Sequence, residues 1–211
     1  MLHEETVSAR TLEILMDLMQ DQTLRNFFLV GGTALSLQIG HRVSIDIDLF
    51  TQQPFDQNKI SAHLESKKGF QLSYIDKNTI KGQIDSVQVD MITHEYPLIK
   101  DCLTSKGIRL ASLEDIAAMK LNAIIGNGTR LKDFIDIAFL ASYLSLEKMT
   151  AAYQKKYQSR NLIMVPKALL YHEDINFVEP IKFVRGEYRW PVIEKRLKEM
   201  VSHSNKLFSS L

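Results

Sequence analysis

The chain has 211 residues, 45% hydrophobic and 24% charged, enough to build one compact domain or two small ones around an apolar core without staples. A net charge of +1 excludes a global bias toward nucleic acid or membranes, and the single cysteine, Cys102, excludes an internal disulfide and fits a reducing, cytoplasmic compartment. Glu4 and Glu5 in an N-terminus without an apolar core argue against a signal peptide, and no apolar run is long enough to span a bilayer, so the expectation is a soluble protein with no membrane partner.

Apolar residues at helical spacing (Leu12, Leu15, Met16, Met19) predict a helix over 6–19. Residues 27–30 form a short apolar run that reads as a buried strand. Gly31-Gly32 then turns the chain into a short helix capped near Thr33 and closed by Gly40. Residues 45–50 alternate, with Ile45, Ile47 and Leu49 on one face and Asp46, Asp48 and Phe50 on the other, which predicts a strand. A helix over 54–67 ends near Gly69, and strands over 70–75, 79–84 and 87–93 are separated by polar turns. Beyond about Ala111 the pattern becomes helical. Ser112 with Asp115 forms an approximate capping box for a helix that Asn127-Gly128 breaks, and helices follow over 131–144, 145–157, 165–171 and 191–207. No pattern assigns 174–190. The fold class is therefore α+β: a mixed-sheet half with flanking helices over 1–110, then a helical half over 111–211 expected to pack on it and complete the site.

The stretch FLVGGTALSLQIGHRVSIDIDLF, residues 28–50, orders strand, glycine turn, helix, loop and strand. A glycine turn opening a helix lets backbone N–H groups approach a polyphosphate, and the helix N-terminus adds partial positive charge. Asp46 and Asp48, two apart on a strand, point the same way. Paired carboxylates repel unless a cation sits between them, and magnesium is the oxygen-seeking partner for such a pair. Alone, each feature is commonplace: a turn, a solvated strand face. In this order and spacing they describe a site for a metal-bound triphosphate.

This block resembles the first motif of the DNA polymerase β-like nucleotidyltransferases. More closely, Gly31-Gly32-Thr33-Ala34-Leu35, followed by His41-Arg42, Ser44 and Asp46-Ile47-Asp48-Leu49-Phe50, resembles the AbiEii/AbiGii toxin family of toxin–antitoxin and abortive-infection systems. Gly32 stands where a serine is usual in the wider superfamily. Leu113 to Lys120 and Arg130 to Leu140 resemble that family's later signature of a helical lysine, a basic residue and an Asp-x-x-Asp helix. The resemblance implies a metal-dependent nucleotidyltransferase that releases pyrophosphate. Asp46, Asp48 and Asp90 would hold two Mg2+ ions, with Asp85 a rival for the third place. Gly31, Gly32 and Lys120 would hold the phosphates of a nucleoside triphosphate, with Thr33, Arg42, Ser44 and Asp133 as further binding positions. One of Asp133 and Asp136 would be functional, Asp136 being harder to explain as surface. Lys120 also fits a lysine snorkelling from an apolar helix face, and His41 fits a packed structural histidine.

The acceptor implied by the resemblance is RNA, the 3′ end of tRNA included, or a protein side chain, with a cognate antitoxin as a further partner. Lys155, Lys156, Arg160, Lys167, Arg189, Lys195, Arg196 and Lys198 could meet phosphates. Interleaved Glu187, Glu194 and Glu199 fit a solvated face equally well. The alternatives from other classes are a non-catalytic nucleotide-binding or interaction protein on the same fold, and a dehalogenase-type phosphatase. The phosphatase motif wants Thr or Val where Phe50 stands and leaves the glycines unexplained.

Overall fold

The computed structural model describes residues 2–184, 186 and 189–211; Glu187 lies outside them. The chain divides into two compact units, Met1–Pro97 with Cys102–Ala111, and Leu98–Asp101 with Ser112–Leu211. The sequence reading put 98–101 with the sheet-bearing half; these residues group instead with the helices.

The first unit carries a seven-stranded mixed sheet. Its strands are β1 (Phe28–Leu29), β2 (Ile47–Thr51), β3 (Gln71–Asp76), β4 (Thr79–Ile84), β5 (Val87–Thr93), β6 (Leu103–Ser105) and β7 (Ile108–Leu110). They lie in the order β3-β4-β5-β2-β1-β7-β6. The meander β3-β4-β5 is antiparallel, β5 runs parallel to β2, and β1 runs antiparallel to β2 and parallel to β7. Asp85 and Ser86 both have positive φ, 46° and 67°. Two such residues in succession give the tight turn whose twist matches that of the flanking strands. The β6–β7 hairpin, which the sequence reading missed, uses Lys106-Gly107 in the same way, at 50° and 79°. Gly82 is required by packing: a Cβ there would stand 2.3 Å from the Gln71 carbonyl and 2.4 Å from the Phe70 ring.

Three helices belong to this unit: α1 (Ala9–Gln20), α2 (Gly31–Ile39) and α3 (Gln57–Lys68). Ser8 caps α1 and Asp56 caps α3, each accepting from a backbone N–H three residues on. Gly40 and Gly69 end α2 and α3 in the left-handed conformation. Leu15, Leu35, Ile47, Leu49, Ile80 and Met91 are all fully buried and form part of the core. Two elements start at other residues than the sequence pattern predicts. The first short helix begins at Gly31, with Val30 as N-cap, so Thr33 lies within it. The strand begins at Ile47, which leaves Ile45 60% exposed and places Asp46 in the loop one residue before.

The second unit is helical: α4 (Leu113–Gly126), α5 (Leu131–Leu140), α6 (Leu146–Tyr157), α7 (Met164–Leu170) and α8 (Trp190–Ser202). Ser112 and Ser145 cap α4 and α6. The capping box at Ser112 is half formed. Its hydroxyl accepts from Asp115 N–H, but the Asp115 carboxylate takes the Ser112 hydroxyl at 2.6 Å, Ile99 N–H at 3.0 Å, Lys100 N–H at 3.2 Å and the Lys156 ammonium at 2.8 Å. Four donors on one buried carboxylate fasten residues 99–100 to α4 and α6. Within 174–190, Ile175 is buried, Asn176 N–H donates to the Thr129 carbonyl at 2.8 Å and Phe177 meets Trp190 edge-on.

Candidate active site

In the first unit the site begins at the glycine turn. Gly31 has φ +71°, and a Cβ on it would stand 2.5 Å from Asp48 Oδ2. The backbone of the turn therefore lies directly against the Asp48 carboxylate, and only glycine meets both the conformation and the space. A Cβ on Gly32 would meet the Arg42 guanidinium at 2.5 Å and Ser44 Oγ at 3.1 Å. Arg42 is 2% exposed and donates to the Val43 carbonyl at 3.2 Å. Its charge thus sits behind the turn, and it presents no open face on which a base could stack. The buried Thr33 hydroxyl lies 2.9 Å from Ser44 Oγ and bonds the Asp46 backbone carbonyl. It pins the loop that carries Asp46 and is occupied within the protein. His41 is buried beside Arg42.

The sheet brings two of the three expected carboxylates together. Asp48 on β2 pairs in register with Asp90 on β5, so both side chains leave the same face of adjacent strands. Asp90 pairs in register with Lys81 on β4, and the ion pair closes at 2.9 Å. Gln88 Nε2 donates to the other Asp90 oxygen at 3.0 Å. Lys81, Asp90 and Asp48 therefore form one cross-strand row. Asp46 is exposed. Asp85 lies in the β4–β5 turn and pairs with Arg10 at the surface. Among the described residues no group of three or more His, Cys, Asp or Glu side chains stands ready to hold a metal ion.

Arg109 on β7 supports the entry to the turn. It donates to the carbonyls of Phe27 at 2.7 Å, Met19 at 2.9 Å and Leu24 at 3.1 Å. Burial pushes this guanidinium below its ordinary pKa, an effect the Cys102 side opposes. The sequence reading missed both Lys81 and Arg109.

The second unit holds the other expected residues. Lys120 on α4 is 7% exposed, and its ammonium lies 2.5 Å from Asp133 Oδ1 and 2.9 Å from Asp136 Oδ2, both on α5. Neither aspartate is surface charge: both are buried and hold the same lysine. The snorkelling alternative fails too, since the Lys120 head group ends on carboxylates. Two of the basic residues considered for phosphate contact are structural. Lys156 is 1% exposed on Asp115, and Arg196 is buried, donating to the Ser209 carbonyl and covering the Phe208 ring. Lys198 and Lys195 pair with Glu194 and Glu199 along α8, as on a solvated face. No helix among the described residues is long and apolar enough to cross a membrane.

The chain is similar over its length to known proteins. A protein of Aquifex aeolicus (strain VF5), uncharacterised aq_aa25, is 34% identical over 155 residues, covering 71% of this chain and 75% of that protein. The crystal structure of a candidate nucleotidyltransferase from H. pylori superposes with a TM-score of 0.55 at 16% identity, covering 94% of this chain and 96% of that one. The solution structure of the antibiotic-resistance factor ANT(2'')-Ia superposes at 0.56 and 16% identity, over 74% and 93% of the two chains. At such identities these two likenesses establish the fold. The family model described as nucleotidyl transferase AbiEii toxin, type IV TA system, matches residues 13–204. The chemistry of that family is nucleotidyl transfer, and with nearly all of its length matched this chain belongs to the AbiEii nucleotidyltransferase toxin family.

Proposed function

We propose that the protein transfers a nucleoside monophosphate from a nucleoside triphosphate to an acceptor hydroxyl, with release of pyrophosphate, and that it depends on Mg2+. The observation that carries this reading is the Asp48–Asp90 register pair with the Gly31 backbone laid against Asp48. The donors fit the ion: all are carboxylate oxygens, as magnesium requires, and Asp90 already draws a cation in Lys81. Asp48 and Asp90 would hold the metal, joined by Asp46 from its loop. Bound there, magnesium would lower the pKa of the acceptor hydroxyl and offset charge on the leaving oxygens.

The chain's own residues supply position and charge. The first amides of α2, from Gly31 onward, have no acceptor inside the helix and suit the triphosphate oxygens. The Arg42 guanidinium adds positive potential behind them. Lys120 is assigned to the phosphates on the family signature, with Asp133 and Asp136 fixing its ammonium. Thr33 and Ser44 act one step removed, by holding the Asp46 loop. The acceptor is proposed to be an RNA, the 3′ end of tRNA included, or a protein side chain, and an antitoxin is the expected partner of the chain in the cell.

The test incubates purified protein, magnesium and each α-labelled nucleoside triphosphate with and without bulk tRNA, reading label transfer and pyrophosphate. Asp48→Ala and Asp90→Ala should lower transfer by about a thousandfold or more, because several kcal/mol of charge stabilisation is lost. Label on RNA, or on protein, names the acceptor class. Nucleotide binding without transfer to either would replace this reading with the non-catalytic one.

A further inference from the structure

Lys81 stands where a metal-binding carboxylate would be expected to meet only metal and substrate. Its ammonium closes on Asp90 at 2.9 Å, opposite it in register on β4, with Asp48 next in the same row. The lysine side chain is 41% exposed and the aspartate 16%. One partner can swing out to water while the other is held, its second oxygen engaged by Gln88 at 3.0 Å. A half-exposed ion pair contributes little to stability, so the fold does not need Lys81 there.

We propose that Lys81 is an internal counter-ion that competes with the divalent cation for Asp90, and so sets how much metal the protein requires before its carboxylates are loaded. This rests on the assignment of Asp48 and Asp90 as metal ligands. An ammonium and a divalent ion cannot share one carboxylate oxygen, and their repulsion at a few ångströms is strong in a partly covered site. With metal absent, Lys81 offsets the charge of Asp90 beside Asp48. When metal arrives, the lysine must move aside into solvent, which its exposure allows. Lys81 is therefore a positioning residue, acting through Asp90.

The experiment titrates Mn2+, a paramagnetic substitute for magnesium, into the full-length protein without nucleotide and follows free Mn2+ by electron paramagnetic resonance. Lys81→Met, which keeps the stem and deletes the charge, should bind Mn2+ about tenfold more tightly than wild type, the repulsion being moderated by solvent and salt. Lys81→Arg, which restores the charge, should return to wild-type affinity. Unchanged or weaker binding by Lys81→Met overturns the proposal, as does tightening by both variants. Asp48→Asn separates the two readings. If it abolishes Mn2+ binding while Lys81→Met equals wild type, the carboxylate site stands and only the role of Lys81 falls. If Asp48→Asn binds as wild type does, the metal assignment falls and takes this inference with it.

Discussion

Lys120 sits between two carboxylates with almost no access to water, whereas Asp46, proposed above as a metal ligand, is exposed. The two residues therefore answer differently to removal. Lys120→Met keeps much of the volume but leaves Asp133 and Asp136 buried without that cation, and breaking such a pair costs about 3–5 kcal/mol. Asp46→Ala removes an exposed charge and should stay within about 0.5 kcal/mol of wild type. Urea denaturation of both variants checks this: an early transition for Lys120→Met, an unmoved one for Asp46→Ala, and loss of transfer in both. An Asp46→Ala protein that unfolds early would give that residue a structural role that its exposure does not support.

At the scale of elements, the first turn of α2 is tightly constrained. Gly31 needs a positive φ and leaves no room for a methyl group beside Asp48, while Gly32 has an ordinary φ and faces the movable end of Arg42. Gly31→Ala should then cost about 1–3 kcal/mol in backbone strain and push Asp48 out of its row. Gly32→Ala asks the ends of the Arg42 and Ser44 side chains to give way but strains no backbone, so it should be the milder change in melting temperature and in transfer. Equal losses would show that the space beside Asp48 does not matter.

Much of this was legible in the sequence, for local reasons. The Gly-Gly turn, the glycine that ends α2, the three meander strands and the serines that cap α4 and α6 all declare themselves within a few residues. The Lys81–Asp90 pair was legible too, and missed. A two-residue turn at Asp85-Ser86 fixes the β4–β5 register, so counting outward from it sets Lys81 opposite Asp90. The pairing of Asp48 with Asp90 could not be counted in this way, because parallel neighbours are joined by long connections that set no register. Strand β1 and the start of β2 were overdrawn for a related reason. Apolar alternation marks residues able to join a sheet, but pairing decides which do, and Ile45 finds no place in it. The Lys120 cluster spans two helices, and its geometry follows from their packing.

For the whole molecule, the informative charge is Asp115. Read as half of a capping box, it instead binds the Ile99 and Lys100 amides, the Ser112 hydroxyl and the Lys156 ammonium inside the helical unit. Asp115→Ala strands a buried lysine and releases two backbone amides. It should destabilise the protein by about 3–5 kcal/mol, as loss of one partner from a buried ion pair does, with the drop visible in calorimetry. Asp115→Asn retains one acceptor oxygen in place of two and should fall between that variant and wild type. A melting temperature unchanged in both would remove Asp115 from the account of the fold.

The same anchor bears on how such a gene could be divided. The polypeptide leaves the sheet unit after Pro97, returns at Cys102 and leaves again after Ala111. A break at the evident boundary, between Ala111 and Ser112, would strand Leu98–Asp101 on the wrong fragment and strip Asp115 of the amides it holds. The two halves are thus not modules that recombination could exchange at a single junction, and a functional swap would have to carry the four-residue detour along with the helices it serves.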